Sequence, residues 1–181
     1  MNNRRYLELV VYHLSHTGCT DQIDTYLEQA ALPAYNRLGI EPVGVFKGVY
    51  GPASASVYLL LPHPDLQSVA ATRDRLLEDP GFVRAAGAML DAPINNPLYL
   101  RYESTLMAAF TGMPDIELPE GHLEKPGRVF ELRVYESHTV RAHKRKIEMF
   151  NEGGEIGIFR RTGMSPVFFG ETLIGQRLPN L

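Results

Sequence analysis

The sequence predicts an α+β protein of tandem ferredoxin-like units, each with the order β-α-β-β-α-β, the second incomplete. Three observations predict it. Stretches of period-two alternation are interleaved with stretches of helical periodicity in that order. One strand-like octapeptide occurs twice: Arg5-Tyr6-Leu7-Glu8-Leu9-Val10-Val11-Tyr12 returns as Arg128-Val129-Phe130-Glu131-Leu132-Arg133-Val134-Tyr135. A second echo follows each copy, where Arg37-Leu38-Gly39-Ile40-Glu41-Pro42-Val43 answers to Arg161-Thr162-Gly163-Met164-Ser165-Pro166-Val167. A repeat this long is a duplicated domain, since solenoid units recur about every 20 to 50 residues.

In the first strand, Leu7, Leu9 and Val11 share one face, and Tyr6, Glu8, Val10 and Tyr12 the other. The Leu7 face is expected to pack under the helices. Thr20 or Asp21 caps the next helix. Ile23, Leu27, Ala30, Ala34 and Leu38 recur at helical spacing and give it one buried stripe. Pro33 lacks a backbone donor, so a kink or a lost hydrogen bond is expected there. Gly39 ends the helix. Residues 42–50 and 54–61 read as the second and third strands, joined by a turn at Gly51-Pro52. Pro62-His63-Pro64 is expected to stop the pairing. Asp65 caps a helix that runs to Asp79-Pro80, residues 82–89 form another helical segment, and residues 98–106 alternate as a fourth strand.

Residues 1–110 thus form a first domain. Residues 111–127 hold Gly112, Pro114, Pro119, Gly121, Pro126 and Gly127 without periodicity and read as a linker. Residues 128–181 restart the pattern as β-α-β: a strand at 129–136, one helix over 140–161 and a strand at 166–173. Gly163 caps the helix. Gly153 and Gly154 fall inside it, at a cost of about 1 kcal/mol each relative to alanine, which close helix-on-sheet packing or a ligand at the backbone would justify. A second unit halted at β-α-β leaves an apolar helix face open, so a homodimer is expected.

The 181 residues carry a net charge of −3 and 44% hydrophobic residues, an ordinary globular balance. The basic run 141–146 is short and followed by Glu148, a solvated helix face and not a nucleic-acid surface. No stretch of about 18 apolar residues exists to span a membrane, and no signal or transit peptide is legible. Cys19 is the one cysteine and suits a reducing compartment, so a cytoplasmic setting is expected. No phosphate-binding glycine loop or nucleophile-elbow motif is present, and no cofactor is expected. His13, His16, His138 and His143 lack a metal-ligand spacing; they read as surface histidines, with no metal.

Several spaced motifs together resemble the NIPSNAP family of the dimeric α/β-barrel superfamily. They are Tyr6 to Tyr12, Arg37 to Phe46, Gly51-Pro52, Asp65-Leu66, Leu77-Glu78-Asp79-Pro80, Phe130 to Tyr135 and Glu155 to Arg160. The resemblance covers nearly the whole chain apart from the linker. It implies ferredoxin-like domains whose sheets face one another, and it supplies no catalytic set.

The residues left for a task are those opposite the expected core. Glu8 and Tyr12 lie on that face of the first strand, Arg101 and Glu103 on the fourth, and Glu131, Arg133 and Tyr135 on the echo. Arg101 is expected beside Glu8 across the strands. Facing sheets would enclose these groups, either as ion pairs or as a site where a glutamate acts as base and Tyr or Arg steadies developing charge. The ligand-binding candidates are Glu8, Tyr12, Arg101, Glu131, Arg133 and Tyr135, for a small apolar or aromatic molecule. A cofactor-independent oxygenase or isomerase and a protein-interaction module are the alternatives.

Overall fold

The structure, a computed structural model, describes residues 4–15, 20–50, 55–121 and 127–181, and Ala88 by its backbone only. His16, Cys19 and the Gly51-Pro52 turn lie outside the described residues. The chain forms two compact units, residues 8–104 and residues 105–181 with 1–7.

The 8–104 unit contains residues 8–13 of β1 (Tyr6–His13), α1 (Thr20–Tyr26), a π turn (Leu27–Ala31) and α2 (Leu32–Arg37). β2 (Gly44–Lys47), β3 (Ser56–His63), α3 (Leu66–Glu78), α4 (Pro80–Leu90) and residues 101–104 of β4 (Arg101–Ala109) follow. The strand order β2-β3-β1-β4 is that of a ferredoxin-like sheet, so the α+β fold is the expected one. β2 runs antiparallel to β3, with Gly44 opposite Leu60 and Lys47 opposite Val57.

The core of this unit packs Val10, Tyr12 and Leu14 with Val57, Leu59 and Leu61 of β3 against Ile23, Tyr26, Leu27, Ala34 and Phe82 of the helices. Each buried apolar side chain contributes about 1.5–3 kcal/mol. The helix-covered face of β1 is therefore the one carrying Val10 and Tyr12, the reverse of the expectation; Leu9 and Val11 are only half-buried. Both faces of β1 carry branched apolar residues, so alternation separates two faces without saying which is covered. Tyr12 decides it, because Tyr26, Tyr35 and Tyr99 complete its surroundings.

Local chemistry explains the element ends. Leu32 N–H bonds to Leu27 O, one residue further back than in an α-helix. Pro33 has no N–H for the Gln29 carbonyl, which is the expected lost bond, realised as a π turn. Gly39 adopts φ 74° and Ile40 N–H reaches Tyr35 O at 3.0 Å. Gly163 repeats this, with φ 82° and Met164 N–H on Phe159 O at 3.1 Å. The second sequence echo is thus one helix-ending device used twice. Asp65 accepts the Ser68 N–H at the start of α3, and Asp79 accepts the Gly81 and Phe82 N–H groups at the start of α4. β3 does not stop at Pro62 but continues to His63.

In the 105–181 unit, residues 106–109 of β4 pair antiparallel with β5 (Gly170–Ile174), Ala109 opposite Gly170. One helix was expected over 140–161; two form, α5 (Val140–Asn151) and α6 (Glu155–Arg161). The glycines are the cause, and not by packing against a sheet. Gly154 takes φ 81°, and a Cβ on Gly153 would lie 2.6 Å from Met149 O. Phe110, Met113, Phe150, Ile156 and Leu181 form the core, with Tyr135, Ile147, Phe159 and Phe169 packed around it. The described part of 111–127 has no helix or strand, yet it is anchored: Met113 is fully buried, and Arg160 grips both oxygens of Glu117 at 2.7 and 2.8 Å.

The strand expected at 129–136 does not form. Glu136 makes an isolated bridge with Asn180, and Val129, Leu132 and Val134 stand 80%, 49% and 55% exposed. The alternating pattern has no assigned strand beside it in this unit, and period-two sequence alone does not hold a strand. Tyr135 turns inward onto Phe150 at 5.9 Å, whereas Leu132 and Val134, expected under the helix, face out.

Candidate functional site

The alternation that places Val10 and Tyr12 under the helices also places Glu8 there, at the end of the covered face. Its carboxylate accepts the Ser104 hydroxyl at 2.5 Å, and His63 Nε2 stands 3.4 Å away. His63 is fully buried, and its Nδ1 lies 3.0 Å from the hydroxyl of Ser68 in the first turn of α3. Arg73, two turns along α3, hydrogen-bonds the Tyr102 hydroxyl and lies 5.7 Å from that ring's centre. Strands β1, β3 and β4 and helix α3 thus meet in one polar network. Burial pushes the Glu8 carboxyl up, but the His63 ring beside it, the hydrogen bond from Ser104 and the charge of Arg73 outweigh it, so the group sits below its ordinary value. Glu8 is an anion at neutral pH.

Beside this network lies a cluster of tyrosines. The Tyr12 ring is 5.1 Å from Tyr99 and 6.0 Å from Tyr102, and Tyr26 packs in the same core. Burial raises the phenols of Tyr12, Tyr26 and Tyr35 well above the ordinary value, so all three stay protonated. Tyr26 forms one wall of a groove of about 470 Å³ between α1 and α4. Its apolar lining includes Tyr26, Ala85, Ala86, Met89 and Leu98; Gln22, Thr25, Gln29 and Asn96 add amide and hydroxyl groups, and Asp21 a carboxylate. Gln29 belongs to the π turn that follows α1.

The six residues singled out from the sequence take different places. Glu8 and Tyr12 join the buried network and the tyrosine cluster. Arg101 is not beside Glu8: its guanidinium lies 3.5 Å from Glu103, which is also 3.4 Å from His13. Arg101 sits on the other face of β4 from Ser104, so it cannot reach Glu8 across the pleat. Glu131 and Arg133 pair with each other at 2.7 Å, largely in solvent, and Arg133 also lies 5.7 Å from the Phe159 ring centre. Tyr135 is part of the aromatic core of its unit.

Sequence reasoning missed His63, Ser104 and Tyr26. His63 was hidden by its two flanking prolines. Tyr26, three residues after Ile23 and four before Ala30, lies on the same helical stripe and reads as one more core position. His143, expected at the surface, is buried in α5 with Nε2 at 3.7 Å from Glu171. Among the described residues no three His, Cys, Asp or Glu come together to hold a metal ion.

The fold and groove define the class: a ferredoxin-like α+β domain with helices over one sheet face and a tyrosine-walled groove between two of them. Residues 7–93, just under half of the chain, match the NIPSNAP family model, and that stretch is similar to the family. The match ends before β4, and the second copy of the echo lies outside it. A NIPSNAP family protein with unknown function from Agrobacterium tumefaciens str. C58 is similar in structure at 20% identity and TM-score 0.48, over 60% of this chain and 90% of that one. An uncharacterized NIPSNAP domain protein from Burkholderia xenovorans is similar at 18% identity and TM-score 0.43, over 56% and 90%. A dimeric ferredoxin-like protein from an uncultured marine organism stands at 8% identity and TM-score 0.44, over 59% and 89%. No curated protein matches the chain.

Proposed function

We propose that this protein, as a homodimer, binds a small apolar or aromatic molecule in the groove between α1 and α4. The observation that carries the reading is the groove itself: about 470 Å³, an apolar lining that includes one aromatic wall, and a few amide and hydroxyl groups at the rim. Small-molecule sites have this size and this balance of apolar lining to orienting polar groups. Tyr12 belongs to the same core cluster as Tyr26 and backs that wall. Arg101, Glu131, Arg133 and Tyr135 are not among the groove's lining residues.

The test is thermal denaturation with indole and 2-naphthol as probes. Ala85 lines the groove from an exposed position, so Ala85→Trp fills the space without disturbing the core. A probe at about one hundred times its Kd stabilises the folded chain by about 2.7 kcal/mol, a rise of several degrees, and Ala85→Trp abolishes it. Equal shifts in wild type and Ala85→Trp, or no shift in wild type, would overturn the reading.

A further inference from the structure

Among the described residues that line the groove between α1 and α4, Asp21 alone carries a formal charge. It lies in the first turn of α1 and is exposed, and among the described residues its carboxylate has no hydrogen bond or ion pair. Thr25 stands one helical turn on, along the same face. Its hydroxyl donates to the Asp21 backbone carbonyl at 2.8 Å, so what it offers the groove is an oxygen that accepts. Two cations that meet these helices are engaged elsewhere: Lys47 with Asp24 of α1 at 2.5 Å, and Arg37 with Asp79, the cap of α4, at 2.6 Å. Arg84 falls on the far side of α4 from Ala86 and Met89. The Asp21 end of the groove thus joins a negative charge and acceptor oxygens to an apolar slot.

We propose that the groove takes an aromatic monoamine, with its ring in the apolar slot and its protonated amine at Asp21. An ammonium carries three donors and no acceptor, the complement of a carboxylate beside an accepting hydroxyl. A ring bearing a carboxylate would set like charges together. A neutral ring would leave Asp21 with water as its partner. The spacing suits a short tether. Asp21 and Tyr26 are five residues apart, about 7.5 Å along the helix axis. A ring seated against Tyr26, Met89 and Leu98 therefore reaches Asp21 through a chain of about two carbons.

This inference rests on the small-molecule reading above and specifies its ligand. Isothermal titration calorimetry on the full chain tests it with three compounds that share one ring: tryptamine, 3-ethylindole and indole-3-propionate. Low ionic strength keeps the charge contact least screened. Tryptamine is expected to bind the wild type about threefold more tightly than 3-ethylindole, the size that one exposed ion pair gives. Indole-3-propionate is expected to bind more weakly than either. Asp21→Asn changes an exposed side chain without a partner among the described residues, and the ratio of tryptamine to 3-ethylindole affinity falls to about one. Ala85→Trp abolishes binding of all three. If 3-ethylindole binds the wild type and tryptamine binds no better, the amine site is overturned and the small-molecule reading stands. The same holds if the advantage of tryptamine survives Asp21→Asn. Binding that survives Ala85→Trp, or no binding of any compound to the wild type, would overturn both.

Discussion

Glu8 is the most constrained charge described in the molecule: a partly buried carboxylate that accepts from Ser104 and stands against a histidine with no exposed surface. Its folded-state acidity lies below the ordinary value of 4.5. A lowered folded value means that its contribution to stability is present above about pH 4.5 and is lost as pH falls through the folded value. Denaturant midpoints measured from pH 7 to pH 3 are therefore expected to fall more steeply for wild type than for Glu8→Gln. Parallel curves would remove Glu8 as a source of the acid sensitivity. That Glu8 would be singular was legible, because a lone acid in an apolar strand must find partners. Its partners were not, because His63 and Ser104 come from strands whose faces and ends the sequence leaves open.

At the scale of elements, what is written locally was readable. Asp65 caps α3, Gly39 and Gly163 end their helices, and Pro33 disturbs the helix that contains it, each through backbone chemistry confined to a few residues. Gly39→Ala and Gly163→Ala are expected to cost about 1 kcal/mol each in chemical denaturation, since both positions have positive φ and open space where the methyl would go. A loss at one site and none at the other would mean that the two ends are not the same device. What depends on neighbours was not readable. Composition favours the Leu7, Leu9 and Val11 face of β1, yet the covered face follows from where Tyr26, Tyr35 and Tyr99 lie. The break at Gly153-Gly154 was visible as a cost and not as a break.

Over the whole molecule, two separate aromatic and aliphatic clusters hold two units, one around Tyr12, Leu59 and Phe82, the other around Phe110 and Phe150. Phe150 touches Phe110, Tyr135, Phe159 and Phe169 with ring centres 5.2–6.1 Å apart. Phe150→Ala is expected to cost about 3–5 kcal/mol, read as a drop in the calorimetric midpoint of the 105–181 unit. A change under about 1 kcal/mol would show that this cluster does not hold that unit together. The β-α-β-β-α-β order of the 8–104 unit followed from periodicity and turn residues. The character of residues 128–135 did not, because the number of available neighbours is a property of the assembled sheet and not of eight residues.

The octapeptide that appears twice has two fates in one molecule. In its first setting, between strands, nearly every substitution has a neighbour to offend. In its second, Val129, Leu132 and Val134 meet mainly water, and a substitution there meets few constraints from the fold. The second stretch keeps a strand's alternating sequence without a strand's neighbours. Substitutions at Val129, Leu132 and Val134 are therefore expected to disturb the fold little, whereas one at Tyr135 meets the core around Phe150.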